Sequence, residues 1–183
     1  MLLATLRFNF YHLIMKKILY LFLIFISFNS LSLELVQSTG SIDIKAPIDK
    51  VFDLVSSPMN DHLWRSEVND MTTNNHSVEI GSWYREDAWI GIRRNFITTT
   101  EVIEVDPPYK VIFTTIEGSP YFLKSRRFFT EKSGVTTFTY IVDFDRRMIK
   151  ETFGVNISPK IVMKLYKFQM KRYLKKLKKE FER

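Results

Sequence analysis

Ser158 to Phe181 reads SPKIVMKLYKFQMKRYLKKLKKEF, and this stretch decides the fold. Met163, Tyr166, Met170, Tyr173, Leu174, Leu177 and Phe181 recur at three- and four-residue steps, the spacing that stacks side chains on one face of an α-helix. Lys160, Lys164, Lys167, Lys171, Lys175 and Lys178 recur at the same steps on another face. Ser158 suits the N-cap, and Pro159 suits the first helical position, where a missing N–H costs nothing. The spacing predicts one helix of roughly 24 residues, about 36 Å at 1.5 Å per residue, long enough to cross a small domain.

The preceding residues supply a surface for its apolar stripe. In Val135 to Asp145, Phe138, Tyr140, Val142 and Phe144 share one face, while Thr137, Thr139, Ile141 and Asp143 share the other. A strand with one apolar face turns that face inward. Strands are also predicted within Trp83–Trp89, Arg94–Val105, Tyr109–Glu117 and Tyr121–Thr130, separated by Gly- and Pro-containing turns. Such short connections favour an antiparallel meander over βαβ units. Upstream, Ser41–Lys45 alternates as a strand, and Pro47 opens a helix carrying Val51, Phe52, Leu54 and Val55. A second short helix is expected over Met59–Trp64. The fold class is α+β: an antiparallel sheet crossed by a long C-terminal helix, with two short helices after the first strand.

The 183 residues suit one domain, with 45% hydrophobic and 26% charged residues. Aromatics reach 15%, with Phe contributing 16, so the core either packs tightly or lines an apolar cavity. The chain has no cysteine, which excludes thiol nucleophiles, disulfides and Cys-type zinc sites. The net charge of +7 is unevenly distributed. Residues 1–32 hold Arg7, Lys16 and Lys17 and no acid, and ten basic residues from Lys160 onward meet only Glu180 and Glu182, leaving the stretch between them at −4. The body is mildly acidic and the last helix strongly basic.

Met15-Lys16-Lys17 precedes the apolar run Ile18–Ile26, and Ser30-Leu31-Ser32 offers small residues for cleavage before Leu33. This is the pattern of a secretory signal peptide starting at Met15. The expected organisation is a leader over 1–32, a linker over 33–39 and a domain over 40–183. The expected location is outside the cytoplasm, periplasmic or secreted. An uncleaved membrane anchor is the alternative, although the apolar run is short of the ~20 residues a span needs.

Four local sequences carry a family resemblance. Ser41–Phe52 resembles an opening strand, Ala-Pro turn and Val-Phe helix start. Pro58–Trp64 is similar to a Pro-to-Trp segment, Asp106–Lys110 to a turn between central strands, and the strand from Tyr121 with Gly134-Val135-Thr136 to a penultimate hairpin. In this order they resemble the START-like or Bet v 1-like superfamily, particularly its polyketide cyclase/dehydrase and lipid transport group. The resemblance implies a helix-grip fold, a curved sheet wrapped around the long helix with an elongated apolar cavity between them. It implies ligands such as lipids, isoprenoids or polyketides, and catalysis in a minority of members.

On that architecture the expected cavity-facing residues are Trp83, Trp89, Phe113, Phe138, Tyr140 and Phe144, with Met163, Tyr166 and Met170 from the helix. Period two puts Arg85 and Asp87 on the same face as Trp83 and Trp89, where they would anchor the polar end of a ligand. An outward-facing pair is the competing reading, because an unpartnered buried charge is costly. His62 and His76 lack a supporting carboxylate cluster, and neither metal nor cofactor is expected. The doublets Arg93-Arg94, Arg126-Arg127 and Arg146-Arg147 must each put one arginine on either face of a strand, which suits sheet edges or ends. The lysines of the last helix read first as a solvated face and second as a contact for anionic membrane. Aromatics do not interleave with them, which argues against nucleic acid. The preferred function is binding or transport of a hydrophobic small molecule. A cyclase or dehydratase using the same cavity and a cavity-less interaction module remain open.

Overall fold

The computed structural model describes residues 34–182, so the expected leader over 1–32 lies outside the described residues. The elements are β1 (Leu35–Ile44), α1 (Ile48–Val55), a 3-10 helix (Pro58–Leu63), β2 (Val68–Thr73), β3 (Trp83–Ile90) and β4 (Arg93–Asp106). Then follow β5 (Lys110–Thr115), β6 (Leu123–Lys132), β7 (Val135–Asp145), α2 (Arg147–Phe153) and α3 (Pro159–Phe181). The seven strands form one antiparallel sheet in the order β1-β7-β6-β5-β4-β3-β2, a meander whose first strand closes beside its last. Register shifts in β2, β3 and β4 add twist at the far side of the sheet. This is a helix-grip α+β fold.

The helix of the opening stretch runs over 23 residues and buries Val162, Met170, Tyr173, Leu174 and Leu177. It lies close to β1 because Gly40 has no side chain: a Cβ there would meet Met170 Cγ at 2.5 Å and Leu174 Cδ1 at 2.8 Å. This corrects the expected linker. Residues 35–39 belong to β1, with Leu35 opposite Asp145 and Gly40 opposite Tyr140. The small polar residues there form a strand beneath a helix, where the sequence alone reads a linker.

Trp64, fully buried just after the 3-10 helix, centres the core. Its indole packs edge-on against Phe138, Tyr140 and Tyr173, with centroids 6.0, 5.5 and 6.4 Å away. The helix α2 was not expected from the sequence. Met148, Ile149 and Thr152 are its buried side, and the β3–β4 hairpin leans on its last turn. The Ile92 N–H donates to the Thr152 carbonyl at 2.8 Å. Gly91 makes this approach with φ +60°, and a Cβ there would lie 2.3 Å from the Thr152 oxygen.

Candidate ligand cavity

Between the inner face of the sheet and the covering helices lies a cavity of about 110 Å³. Its apolar wall includes Phe113 of β5, Val142 and Phe144 of β7, Met148 and Ile149 of α2, and Val162 and Tyr166 of α3. Phe144 and Tyr166 touch with ring centroids 5.5 Å apart. Asp61, Arg65, Glu86, Arg127, Tyr84, Tyr140 and Ser125 make another part of the wall polar.

That polar part is a buried ion cluster. Asp61 is fully buried and accepts from Arg65 Nη1 at 2.9 Å and from Arg127 Nη1 and Nη2 at 2.9 and 2.6 Å. Arg65 also grips Glu86 through two bonds of 2.7 and 2.8 Å and donates from Nε to Glu67 at 3.0 Å. Two guanidinium groups thus face three carboxylates. Arg127, only 2% exposed, also donates to the Val55 carbonyl and lies over the rings of Phe113, Trp64 and Tyr140 at 5.1, 5.6 and 5.6 Å. Burial alone would depress the pKa of Arg65, but its anionic neighbours, led by Glu86, hold it well above the usual value. The hydroxyls of Tyr84, Tyr140 and Tyr166 are pushed up as well, away from a reactive range, chiefly because burial disfavours the phenolate. All three stay neutral near pH 7.

Most of this cluster is satisfied internally, but some of it is not. The Ser125 hydroxyl and Arg127 Nε are buried without a hydrogen-bond partner among the described residues, and both residues line the cavity. Glu67 Oε2 and the Trp64 indole N are buried and unpartnered beside it. Native interiors leave few such groups.

Of the residues expected at the site, Phe113, Tyr140, Phe144 and Tyr166 line the cavity. Phe138 and Met170 are fully buried in the packed core, and Met163 packs partly buried against it; none of the three is a lining residue. Trp83, Arg85, Asp87 and Trp89 are a correction. They share a face, as their spacing requires, but it is the outer one, because β3 buries Tyr84 and Ala88 and turns Glu86 toward Arg65. Trp89 is 53% exposed. Asp87 accepts from Asn95 at 2.9 Å and Asn69 at 3.1 Å, which holds its carboxyl below the ordinary range. The Arg126-Arg127 doublet is a second correction: it sits on β6, a central strand. Arg126 pairs outward with Asp143 while Arg127 enters the cluster. Asp61, Arg65 and Glu86 were missed. The one local signal was the four-residue step from Asp61 to Arg65, placed beside a Trp.

Residues 36–182 match the family described as polyketide cyclase / dehydrase and lipid transport. The chain belongs to that family. No curated protein matches it. Among solved structures, the family fold recurs in a START superfamily protein from Mycobacterium smegmatis, at 13% identity and TM-score 0.63, covering 80% of this chain and 97% of that one. The ginseng (Panax ginseng) major latex-like protein 151 is similar at 14% identity and TM-score 0.59, with 82% and 99% covered. The di-domain ARO/CYC StfQ from the steffimycin biosynthetic pathway is similar at 10% identity and TM-score 0.63, with 81% of this chain and 51% of that one covered. At such identities the likeness shows the fold. The family and fold together give a hydrophobic ligand-binding scaffold.

Proposed function

We propose that this chain binds or carries a small amphipathic molecule outside the cytoplasm. One observation carries the reading: an apolar cavity whose polar wall keeps the Ser125 hydroxyl and Arg127 Nε without partners among the described residues. The apolar part of the ligand packs against Phe113, Val142, Phe144 and Tyr166. An acceptor on the ligand meets Ser125 and Arg127, which removes the penalty of two buried unsatisfied donors. Size narrows the class. A cavity near 150 Å³ takes one benzene, so about 110 Å³ suits a single ring or a short acyl segment, and a longer lipid requires the helices to part. Export rests on the Met15–Ser32 leader pattern.

A cyclase or dehydratase reading is supported by the carboxylates and tyrosines on the same wall and by the ARO/CYC neighbour. Binding is favoured over it for a chemical reason. Each carboxylate on the wall is held by an arginine, and the tyrosines are pushed away from the neutral range where acid–base catalysis works best. Arg85, Asp87 and His62, the sequence's candidates for catalysis, do not line the cavity. The test is mass spectrometry of organic extracts of the purified chain, with 2-naphthol fluorescence as an uptake assay. A co-purifying ring or short-chain compound, displaced by 2-naphthol, is expected. A clean extract together with no 2-naphthol uptake overturns the reading.

A further inference from the structure

The outer face of α3 is not uniformly polar. Ile161, Leu165 and Phe168 are 55%, 51% and 65% exposed. Steps of four and three residues put them on one stripe, directly away from the buried side that carries Met170 and Leu177. Lysines at 160, 164, 167 and 171 run along one side of this stripe, and no carboxylate among the described residues pairs with any of the four. Exposed large side chains scattered singly need no explanation, but an apolar stripe bordered by unpaired cations does.

We infer that this half of α3 is a docking face for an anionic lipid surface. Charge decides the occupant. A second copy of the chain would set the four lysines against their own counterparts, whereas acidic headgroups complement them while the three apolar side chains enter the headgroup–acyl boundary. Among the described residues no helix is long and apolar enough to cross a membrane, so α3 lies along the surface. The face is placed where a ligand carrier would use it. Val162, next to Ile161 on the same helix, lines the cavity. This inference stands on the surface of α3 and does not rest on the cavity having a ligand.

The chain has no cysteine, so single labelling sites are available. Full-length Phe168→Cys carrying an environment-sensitive nitrobenzoxadiazole label is titrated with phosphatidylglycerol vesicles and, separately, with phosphatidylcholine vesicles. A label at Lys132→Cys, the last residue of β6, is the control. The expected result is a blue shift and quenching by nitroxide lipid at position 168 only, and only with the anionic vesicles. Lys164→Gln/Lys167→Gln/Lys171→Gln weakens vesicle binding on the order of a hundredfold, at roughly fivefold per lysine. Because the leader is present in every variant, its own membrane affinity does not enter the comparison. No shift at 168, an equal shift with phosphatidylcholine, or a shift that grows with protein concentration without vesicles each overturns the proposal, the last by assigning the face to self-association. Failure of 2-naphthol uptake leaves this result unaffected, and the converse also holds.

Discussion

Replacing Asp61 by Asn tests whether the buried cluster is one electrostatic unit. The change keeps the side-chain shape and removes the charge that receives three hydrogen bonds from two guanidinium groups. Arg65 retains Glu86 and Glu67, but Arg127, 2% exposed, loses its one carboxylate partner among the described residues and keeps the Val55 carbonyl. Breaking one side of such a pair costs about 3–5 kcal/mol, because a buried charge is left uncompensated. Domains hold only about 5–15 kcal/mol in total, so the loss is a large fraction of stability. With a urea slope of about 2 kcal/mol/M, the unfolding midpoint falls by about 2 M. Arg127→Met alone leaves Asp61 sharing Arg65 and is also expected to destabilise. The double variant Asp61→Asn/Arg127→Met removes both charges and should lose far less than the two single losses combined, a coupling of about 2 kcal/mol or more. Urea unfolding followed by circular dichroism on all four proteins measures this cycle. Additive losses, or a single Asp61→Asn loss below about 1 kcal/mol, would refute the reasoning.

The remaining expectations concern the cavity wall, the helix approach and the tyrosines. Ser125→Ala removes a buried hydroxyl without a partner; the free protein should be unchanged or up to about 1 kcal/mol more stable, while 2-naphthol binds more weakly. Val142→Phe fills part of the cavity that Val142 lines. It should abolish 2-naphthol uptake yet stay within about 1 kcal/mol of the parent, whereas overpacking a dense core would cost about 1–3 kcal/mol. Gly40→Ala pushes a methyl against Met170 and is expected to cost about 1–3 kcal/mol by urea unfolding. Burial raises the pKa of Tyr140, Tyr166 and Tyr173 above the ordinary 10.0. Their contribution is therefore complete below pH about 10 and is lost as pH rises, because the unfolded chain ionises first. Phenolate absorbance at 295 nm should show these three lagging the exposed tyrosines, with the urea midpoint falling from pH 9 to pH 11; simultaneous ionisation of all tyrosines at constant stability contradicts the assignment.

The residue pattern carried the scaffold but not the chemistry of the cavity. The three- and four-residue steps of α3 and the alternation of β7 defined which side chains share a face, because those periods are set by backbone geometry alone. The turns at Asp106-Pro107-Pro108 and Lys132-Ser133-Gly134 bounded the strands for equally local reasons. In β3 the period was read correctly and the buried side was not. Which parity faces inward was decided by Arg65, 21 positions from Glu86, and by the small Ala88, where the two indoles and Asp87 drew attention to the outer face. Arg127 meets Asp61 across 66 positions, so neither residue carries a local sign that it is buried. The outer face of α3 divides in the same way. Spacing revealed its lysines, whereas the exposure of Ile161, Leu165 and Phe168 follows from how the sheet takes up the opposite side of the helix. Sequence alone therefore determined most of the elements and their order, since these depend on local propensity and repeat, but not the short helix α2 or the start of β1; the helix-grip arrangement came from the family resemblance. Only the tertiary structure decided which charges entered the core, because a buried charge depends on partners that the chain brings from a distance.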